Sequence, residues 1–295
     1  MEQASQAEVG KQRANARAKR RRYPTNLVYA RGLARAFAGA IIFAFPLLMT
    51  MEMWWLGFYI DRIRLTLFMV LTLILLVPLS RRIGFERTQS WRDDVFDALI
   101  AYGVAIVASA SLLWVFAIIT PDMPPSEIAG KIAIQSAPAS IGAIVARGQF
   151  THGIGGTDEK DGKRGHSYWS ELLLMTVGAL FLAFNVAPTE EMIVLALKMT
   201  PWHALALITL SIVLLHAFVY ALDFRGQEEM PEHLEGWSGV VAYSVAGFGI
   251  ALFVSLYVLW TFGRTEGASI SQVAMMVSVL GFPAALGAGS ARLIV

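Results

Sequence analysis

Long apolar runs separated by short polar segments make up most of this chain. The runs occupy residues 33–59, 65–79, 95–119, 128–146, 168–188, 202–222, 237–262 and 270–291. A helix needs about 20 predominantly apolar residues to cross the hydrocarbon core of a bilayer, and most of the runs are of that length. The pattern therefore predicts an all-α membrane protein with eight transmembrane helices.

Two polar segments divide the remaining chain. Residues 1–30 are polar and basic, and residues 148–168 are polar and rich in glycine. We interpret the first as a cytoplasmic tail and the second as a cytoplasmic linker. The predicted organisation is a tail at 1–30, a four-helix repeat at 31–147, a linker at 148–168 and a second four-helix repeat at 169–295.

The two predicted halves match along their sequences. Residues 39–53 align with residues 178–192 without a gap, at an offset of 139 (178 − 39). The tryptophans that bracket the third and seventh runs repeat at an offset of 146 (237 − 91). With an even number of spans, each half enters the membrane from the same side. The sequence thus predicts parallel repeats related by a pseudo-two-fold axis along the membrane normal.

Composition supports a membrane location. The chain is 56% hydrophobic and 16% charged, with a mean hydropathy of +0.56, whereas soluble domains carry about 25% charged residues. Basic residues concentrate at 81–92 and in the linker, which predicts that both termini are cytoplasmic. The basic tail has no apolar core, so we expect no cleavable signal peptide. The absence of cysteine excludes disulfides, thiolate metal sites and cysteine nucleophiles.

The matched segments each carry an acid inside an apolar run. A carboxylate there is costly and usually functional, so the equivalent residues Glu52 and Glu191 predict a paired site across the pseudo-two-fold axis. The prolines nearby remove backbone N–H donors and would free the carbonyls of Ile42 and Phe184. Other oxygen-bearing side chains are expected to support the site. Asn185 and Thr189 are four residues apart and are expected to share a helix face, as are Pro46 and Thr50. The predicted site residues are Glu52, Glu191, Glu190, Thr50, Thr189, Asn185, Pro46 and Pro188.

An oxygen-rich cluster of this kind suits a hard cation or a proton. Two close carboxylates raise each other's proton affinity, which would couple cation binding to protonation. The leading hypothesis is a proton-linked cation transporter or channel. Its expected partners are the lipid bilayer and a small cation or proton; a homo-oligomer is compatible, and neither a cofactor nor a nucleic acid is expected. The structural alternative is that these glutamates hydrogen-bond across helices or reach the membrane interface.

A second motif favours a different function. Asp93, Asp94 and Asp97 form the pattern D-D-x-x-D, which in prenyl-transferring enzymes holds magnesium and diphosphate. Such an enzyme would need a second acidic cluster, for which the candidate is the loop at 223–235. The simpler interpretation is that Asp93 and Asp94 cap the third helix at its positive end. A third hypothesis is a non-catalytic subunit that scaffolds a complex.

These hypotheses predict different interiors. Transport predicts a water-accessible cavity at the glutamates, an enzyme predicts a polar cleft at Asp93, and a scaffold predicts a dry, packed bundle. Lys131 and Gln135, four residues apart, could also line a cavity. His203 and His216 have no histidine counterpart in the first half, which favours structural roles for both.

The segments at 45–55 and 184–192 carry a resemblance to a known family. Phe-Pro-Leu-Leu-Met-Thr-Met-Glu-Met-Trp-Trp and Phe-Asn-Val-Ala-Pro-Thr-Glu-Glu-Met resemble a family of bacterial integral membrane proteins of unknown function. The resemblance implies a multi-pass protein of the bacterial inner membrane from about residue 31 onward, and it supplies no catalytic residues. The first run also loosely resembles the first helix of a lysosomal and bacterial potassium-channel family. That family's Phe-Ser-Asp filter is absent, so no channel mechanism is carried over.

Overall fold

The computed structural model describes residues 26–83, 91–151, 168–218 and 240–294, and these residues form helices joined by short turns. The helices are α1 (Asn26–Leu48), α2 (Met51–Tyr59), α3 (Arg62–Ile83), α4 (Trp91–Val115), α5 (Pro125–Thr151), α6 (Tyr168–Val186), α7 (Glu190–Lys198), α8 (Pro201–His216), α9 (Ala246–Thr261) and α10 (Ile270–Ile294). A π-helical turn, Val240–Val245, precedes α9. Residues 1–25 of the tail, residues 152–167 of the linker and the acidic loop at 223–235 lie outside the described residues.

The helix lengths confirm a multi-pass membrane protein. Within the described residues, 7 helices are long and apolar enough to cross a bilayer. The count becomes 8 if α7 and α8, which meet at an angle of 119°, are taken as one broken span. The all-helical fold follows directly from the apolar runs, because only helices and closed barrels satisfy the backbone polar groups inside lipid.

Two of the predicted spans are interrupted. The run at 33–59 is not a single helix, because α1 ends at Leu48 and α2 begins at Met51. The run at 168–188 likewise ends at Val186, and α7 starts at Glu190. In both breaks the residue before the new helix is a threonine with an extended backbone: Thr50 has φ −93° and ψ 121°, and Thr189 has φ −69° and ψ 143°.

The breaks correct part of the sequence interpretation. Pro46 and Thr50 were expected to share a helix face, as were Asn185 and Thr189. Because each threonine stands outside the helix that holds its partner, neither pair shares a face. Pro46 lies within α1, which continues to Leu48, whereas Pro188 lies in the break itself.

The helices pack in two groups with matching contacts. In the group α1–α5, helix α5 packs against each of the other four helices, and in the group α6–α10, helix α10 packs against each of its four. The first and fourth members also touch in both groups, α1 with α4 and α6 with α9. Consequently α5 is the most enclosed of the described spans: 83% of its apolar 18-residue stretch is buried.

Glycines allow the closest of these contacts. Gly39 of α1 faces Gly142 of α5, and Gly178 of α6 faces Gly287 of α10. A methyl group added to Gly39 or Gly178 would overlap the carbonyl oxygen of the facing glycine. Small residues permit such backbone approach between membrane helices, and the two contacts occupy positions that the sequence alignment makes equivalent.

Aromatic rings join the two groups of helices. Phe43 of α1 and Phe181 of α6 have ring centroids 4.6 Å apart. Closer to the breaks, Phe68 packs edge-on against Phe184 at 5.1 Å and against Phe262 at 6.0 Å. All three rings of this second cluster are at most 1% exposed, so they are packed inside the interface between the two groups of helices.

Candidate functional site

Glu52 connects the two helix breaks. It is the second residue of α2 and is half-buried. Its carboxylate oxygen Oε1 accepts the backbone N–H of Glu190, the first residue of α7, at 3.4 Å. An acid from one half of the chain therefore contacts the break of the other half, across 138 residues of sequence.

Glu190 and Glu191 occupy the first turn of α7 with exposed side chains. The sequence predicted that the Glu52 and Glu191 carboxylates would face each other, but the contact of Glu52 is with the backbone of Glu190. The local reason is electrostatic: the unpaired N–H groups and positive dipole end of a helix favour carboxylates in the first turn. Glu52 stands at the start of α2 in the same way.

Thr50 and Thr189 organise the breaks in the same manner. The hydroxyl of Thr50 donates to the Leu47 carbonyl at 2.7 Å, and the hydroxyl of Thr189 donates to the Val186 carbonyl at 2.8 Å. Trp54 adds a donor in the first break, from Nε1 to the Leu48 carbonyl at 2.9 Å. The two hydroxyls add a second donor to carbonyls that already accept the backbone N–H of the same threonine. Trp54 gives the Leu48 carbonyl a donor of the kind that backbone groups need in lipid.

Asn185 and Pro188 supply further oxygen atoms in the second break. Asn185 donates from Nδ2 to the Phe181 carbonyl at 2.7 Å, and its buried Oδ1 has no hydrogen-bond partner. Pro188 is buried, and its carbonyl accepts a hydrogen bond from Nη2 of Arg264. The oxygen atoms predicted from the sequence are thus present, although intramolecular donors already bind several of them.

Arg264 is the main site residue that the sequence interpretation missed. It lies in the turn after α9, next to Gly263, whose φ of 73° reverses the chain. Its Nε is buried without a hydrogen-bond partner, and no acid among the described residues forms an ion pair with it. The available signal was an arginine in the polar turn between the seventh and eighth apolar runs.

Two ion pairs bridge the halves on opposite faces of the bundle. On the face that carries the breaks, hereafter the Glu52 face, Arg64 bonds Glu266 at 2.6 Å and stacks 5.0 Å from the Trp260 ring. On the other face, hereafter the Arg82 face, Arg82 bonds Glu171 at 3.1 Å, and the Glu171 side chain is only 6% exposed. Helix α3 supplies both arginines and so connects the second half at each end.

Lys131 and Gln135 are buried by packing. The Lys131 ammonium pairs with Glu127 at 2.7 Å and donates to the Ile118 carbonyl at 3.3 Å. Gln135 is fully buried and donates from Nε2 to the Ala44 carbonyl at 2.6 Å, whereas its Oε1 has no partner. His203 completes the Thr200 capping box, and His216 bonds Ser244 at 2.9 Å.

The aspartates of the D-D-x-x-D pattern lie at the start of α4. Asp93 is exposed, Asp97 is half-buried and Asp94 is only 2% exposed. Both Asp93 and Asp94 fall in the first turn of α4, where the helix dipole favours acids, but neither stands at the N-cap position, which precedes Trp91. Across the described ranges, no three His, Asp or Glu side chains come together in a group that could hold a metal ion. The second acidic cluster that this hypothesis needs lies outside the described residues.

A cleft opens between the halves, away from the glutamates. Its volume is about 100 Å³ and its walls are apolar. Phe43, Leu79, Val145 and Leu174 are among the residues that line it, whereas Glu52 and Glu191 are not. The water-accessible cavity that transport predicts at the glutamates does not coincide with this cleft.

Comparison with known proteins identifies the family of the chain. No curated protein and no solved structure matches it. One family model matches residues 32–295, which is nearly the whole of the chain and includes every described helix from within α1 onward. The chain therefore belongs to the family described as "Putative integral membrane protein (DUF2391)".

Proposed function

We propose that this protein is a proton-linked cation transporter or channel whose site lies where the two helix breaks meet. The observation that carries the proposal is the contact between Glu52 Oε1 and the Glu190 backbone. Broken membrane helices that meet near a carboxylate are a common way of forming ion sites, because the unwound carbonyls and helix ends offer charge to a ligand.

The chemistry assigned to the site uses oxygen atoms from both halves. Glu52 supplies the carboxylate, and Glu191 and Glu190 supply two more at the start of α7. Thr50, Thr189 and Asn185 supply hydroxyl and amide oxygens. Protonation of Glu52 would remove its negative charge and weaken its hold on the Glu190 N–H, since hydrogen bonds to charged groups are the stronger ones. A cation and a proton would then compete for one carboxylate.

The repeat belongs to this proposal. We assign residues 31–147 and 169–295 to two parallel repeats, with equivalent residues at equal depth on either side of the axis. The matching glycine contacts, Gly39 with Gly142 and Gly178 with Gly287, support this assignment, as do the two threonine-capped breaks. A parallel arrangement would carry Glu52 and Glu191 to the same face of the membrane.

The proposed location is the bacterial inner membrane with both termini in the cytoplasm. Support comes from the basic residues: Arg81 and Arg82 end α3, and the sequence continues through further arginines to Arg92. Segments rich in lysine and arginine remain on the cytoplasmic side. With this orientation the Glu52 face is the periplasmic one, so the proposed ion site would open outward.

Flux in proteoliposomes tests the function directly. The full chain is reconstituted, and proton movement is followed with a trapped pH-sensitive dye under gradients of sodium, potassium or magnesium. Wild-type flux is expected, and the Glu52→Gln/Glu191→Gln double variant should lose at least about tenfold, since charged hydrogen bonds contribute roughly 1.5–3 kcal/mol. Asp122→Asn is the matched control, because Asp122 is an exposed acid in the turn between α4 and α5.

Each outcome decides a different part of the proposal. Flux that Asp122→Asn keeps and the double variant loses supports transport at the paired site. Flux that survives in the double variant retains transport and rejects the site. If none of the three ions moves in the wild type, the transport proposal is rejected. The hypotheses to test next are then an enzyme that uses the aspartates at the start of α4 and a scaffolding subunit.

A further inference from the structure

The cleft between the halves lies toward the Arg82 face. Leu79 and Leu174 line it, and each stands three residues from one partner of the Arg82–Glu171 ion pair. Three residues of a helix advance about 4.5 Å along its axis and return to nearly the same side. The ion pair therefore lies at the end of the cleft, level with the surface where lipid headgroups would lie.

The other end of the cleft is closed by aromatic rings. Phe43 and Phe181 both line it and pack against each other at 4.6 Å. The lining in between is aliphatic, including Ile141 and Val177. The cleft is thus an apolar slot that runs from a charged rim into the membrane and stops at the Phe43–Phe181 contact.

Two adjacent arginines stand at the rim. Arg82 uses Nη2 to bond Glu171, and a guanidinium has five N–H donors, so others remain. Its neighbour Arg81 is exposed and forms no ion pair within the described part of the chain. Glu171 pairs with Arg82, whereas the exposed charge of the adjacent Arg81 is available to an anion.

We propose that this cleft binds one acyl chain of an anionic phospholipid whose phosphate is held by Arg81 and Arg82. The volume of the slot is about 100 Å³, so it would take part of one acyl chain and not a whole lipid. Basic residues at a crevice between membrane helices recognise anionic headgroups, and the apolar walls match a hydrocarbon tail. The bound lipid fills the gap between the halves, and this role is independent of the proposed transport.

Lipid binding to the purified full-length protein tests the inference. The protein is delipidated in a neutral maltoside detergent and titrated with dioleoyl phosphatidylglycerol or dioleoyl phosphatidylcholine, and bound lipid is counted by native mass spectrometry. One phosphatidylglycerol should bind with clear preference over phosphatidylcholine. Arg81→Gln should weaken it about fivefold and Arg82→Gln by at least as much, on the scale of a single basic residue near a membrane.

Matched variants separate the headgroup from the tail. Arg62→Gln removes an exposed arginine from the opposite end of α3 and should leave binding unchanged. Val145→Phe and Ser290→Leu enlarge side chains in the cleft wall and should each reduce binding at least fivefold, provided that thermal unfolding confirms a folded protein. Having both variants covers the case in which one of them fails to fold.

Several results would overturn the inference. Equal affinity for the two lipids would remove the headgroup argument, as would an equal loss from Arg62→Gln and Arg81→Gln. Unchanged binding in a folded Val145→Phe or Ser290→Leu protein would place the lipid elsewhere. Competition by free glycerol phosphate at similar concentration would show a phosphate site that does not use the cleft.

Discussion

Oε1 of Glu52 and the backbone nitrogen of Glu190 are 3.4 Å apart. Each residue begins a short helix after a break, and each break is capped by a threonine with extended backbone. One helix break in each half therefore meets the other at a single polar contact. That contact is a direct physical link between the two acidic segments, and it can be removed without changing Glu52 or Glu191.

Replacing Glu190 with proline should remove the contact together with the Glu190 side chain. Glu190 is the first residue of α7, where proline is tolerated, and Thr189 already has the extended backbone that a residue before proline prefers. Glu52 then loses its N–H donor. We expect the free energy of unfolding in detergent to fall by about 1–2 kcal/mol, measured by denaturant titration, whereas Glu190→Gln, which keeps the N–H, should change it little.

A Glu52→Ala background provides the control for this variant. There the proline has no bond to remove, so its remaining effect reports the cost of the ring itself. An equal effect of Glu190→Pro with and without Glu52 would mean that the 3.4 Å contact contributes nothing to stability.

The glycine contacts make a second prediction. Gly39→Ala and Gly178→Ala each force a methyl group into a facing backbone, and overpacking of this kind costs about 1–3 kcal/mol. Gly103→Ala and Gly249→Ala are matched controls, because no heavy atom lies within 4 Å of the added methyl group at either position. These controls should be neutral or stabilising by up to about 1 kcal/mol. Similar unfolding temperatures for all four variants would contradict the close contacts.

The sequence predicted these helices because lipid imposes a simple rule, whereas the family followed from the resemblance of the segments at 45–55 and 184–192. Apolar runs of sufficient length must become helices, and the matched segments at 39–53 and 178–192 do contain matching breaks. The position of the breaks was not predictable from the prolines. Proline removes a single N–H, and α1 continues past Pro46 to Leu48 before it ends. The threonines mark the breaks more closely, since they cap the following helices.

The residues that sequence reasoning missed depend on contacts between distant parts of the chain. Arg264 reaches Pro188 across 76 residues, and Arg82 reaches Glu171 across 89. Arg264 has no acid at helical spacing, and spacing would pair Arg82 with Glu86 rather than with Glu171. Gln135 was considered as a cavity residue, but its bond to Ala44 across 91 residues places it in a packed contact. Such pairings follow from the packing of helices, which periodicity alone does not specify.

The two ion pairs between the halves should differ in strength. Glu171 is 6% exposed in its pair with Arg82, whereas Glu266 is 65% exposed in its pair with Arg64. Taking one charge from a buried pair costs about 3–5 kcal/mol, and an exposed pair contributes about 0–1 kcal/mol. We therefore expect Glu171→Gln to lower the free energy of unfolding by about 3 kcal/mol and Glu266→Gln by less than about 1 kcal/mol.

A double-mutant cycle checks that the first effect comes from the pair. Arg82→Met should cost little more once Glu171→Gln is present, giving a coupling energy of about 1 kcal/mol or more. Additive losses, or equal small losses from the two glutamine variants, would contradict the difference in burial.

Gln135 should be replaceable by leucine. Leucine is the residue at position 280, which aligns with position 135 at an offset of 145 (280 − 135) between the fourth and eighth apolar runs. Its Nε2 gains a bond to the Ala44 carbonyl, but its Oε1 is buried without a partner. Losing the bond costs about 1 kcal/mol, and removing the unsatisfied oxygen offsets it. Gln135→Leu should thus stay within about 1 kcal/mol of wild type, while Gln135→Ala, which leaves a cavity, should lose about 2–5 kcal/mol. Equal losses would indicate a bound ligand at Oε1.

Arg264 should oppose cation binding at the proposed site. Its guanidinium bonds the Pro188 carbonyl, and Glu52 bonds the Glu190 N–H two residues further on. A positive charge this close raises the energy of a second cation by roughly 1–2 kcal/mol at an effective dielectric of 20. We expect Arg264→Gln to lower the apparent KM for the transported cation by about tenfold in proteoliposomes.

A conservative variant separates the charge of Arg264 from its packing. Arg264→Lys keeps the charge and should leave the apparent KM near the wild-type value, even if the shorter reach loosens the Pro188 turn. Arg62→Gln, which removes an exposed arginine from the same face, should also have no effect, because surface charges further away are screened by salt. If Arg264→Lys and Arg264→Gln changed KM equally, the residue would act by holding the second break rather than by electrostatic competition. Only a difference between these two variants would assign the positive charge itself to the control of cation affinity.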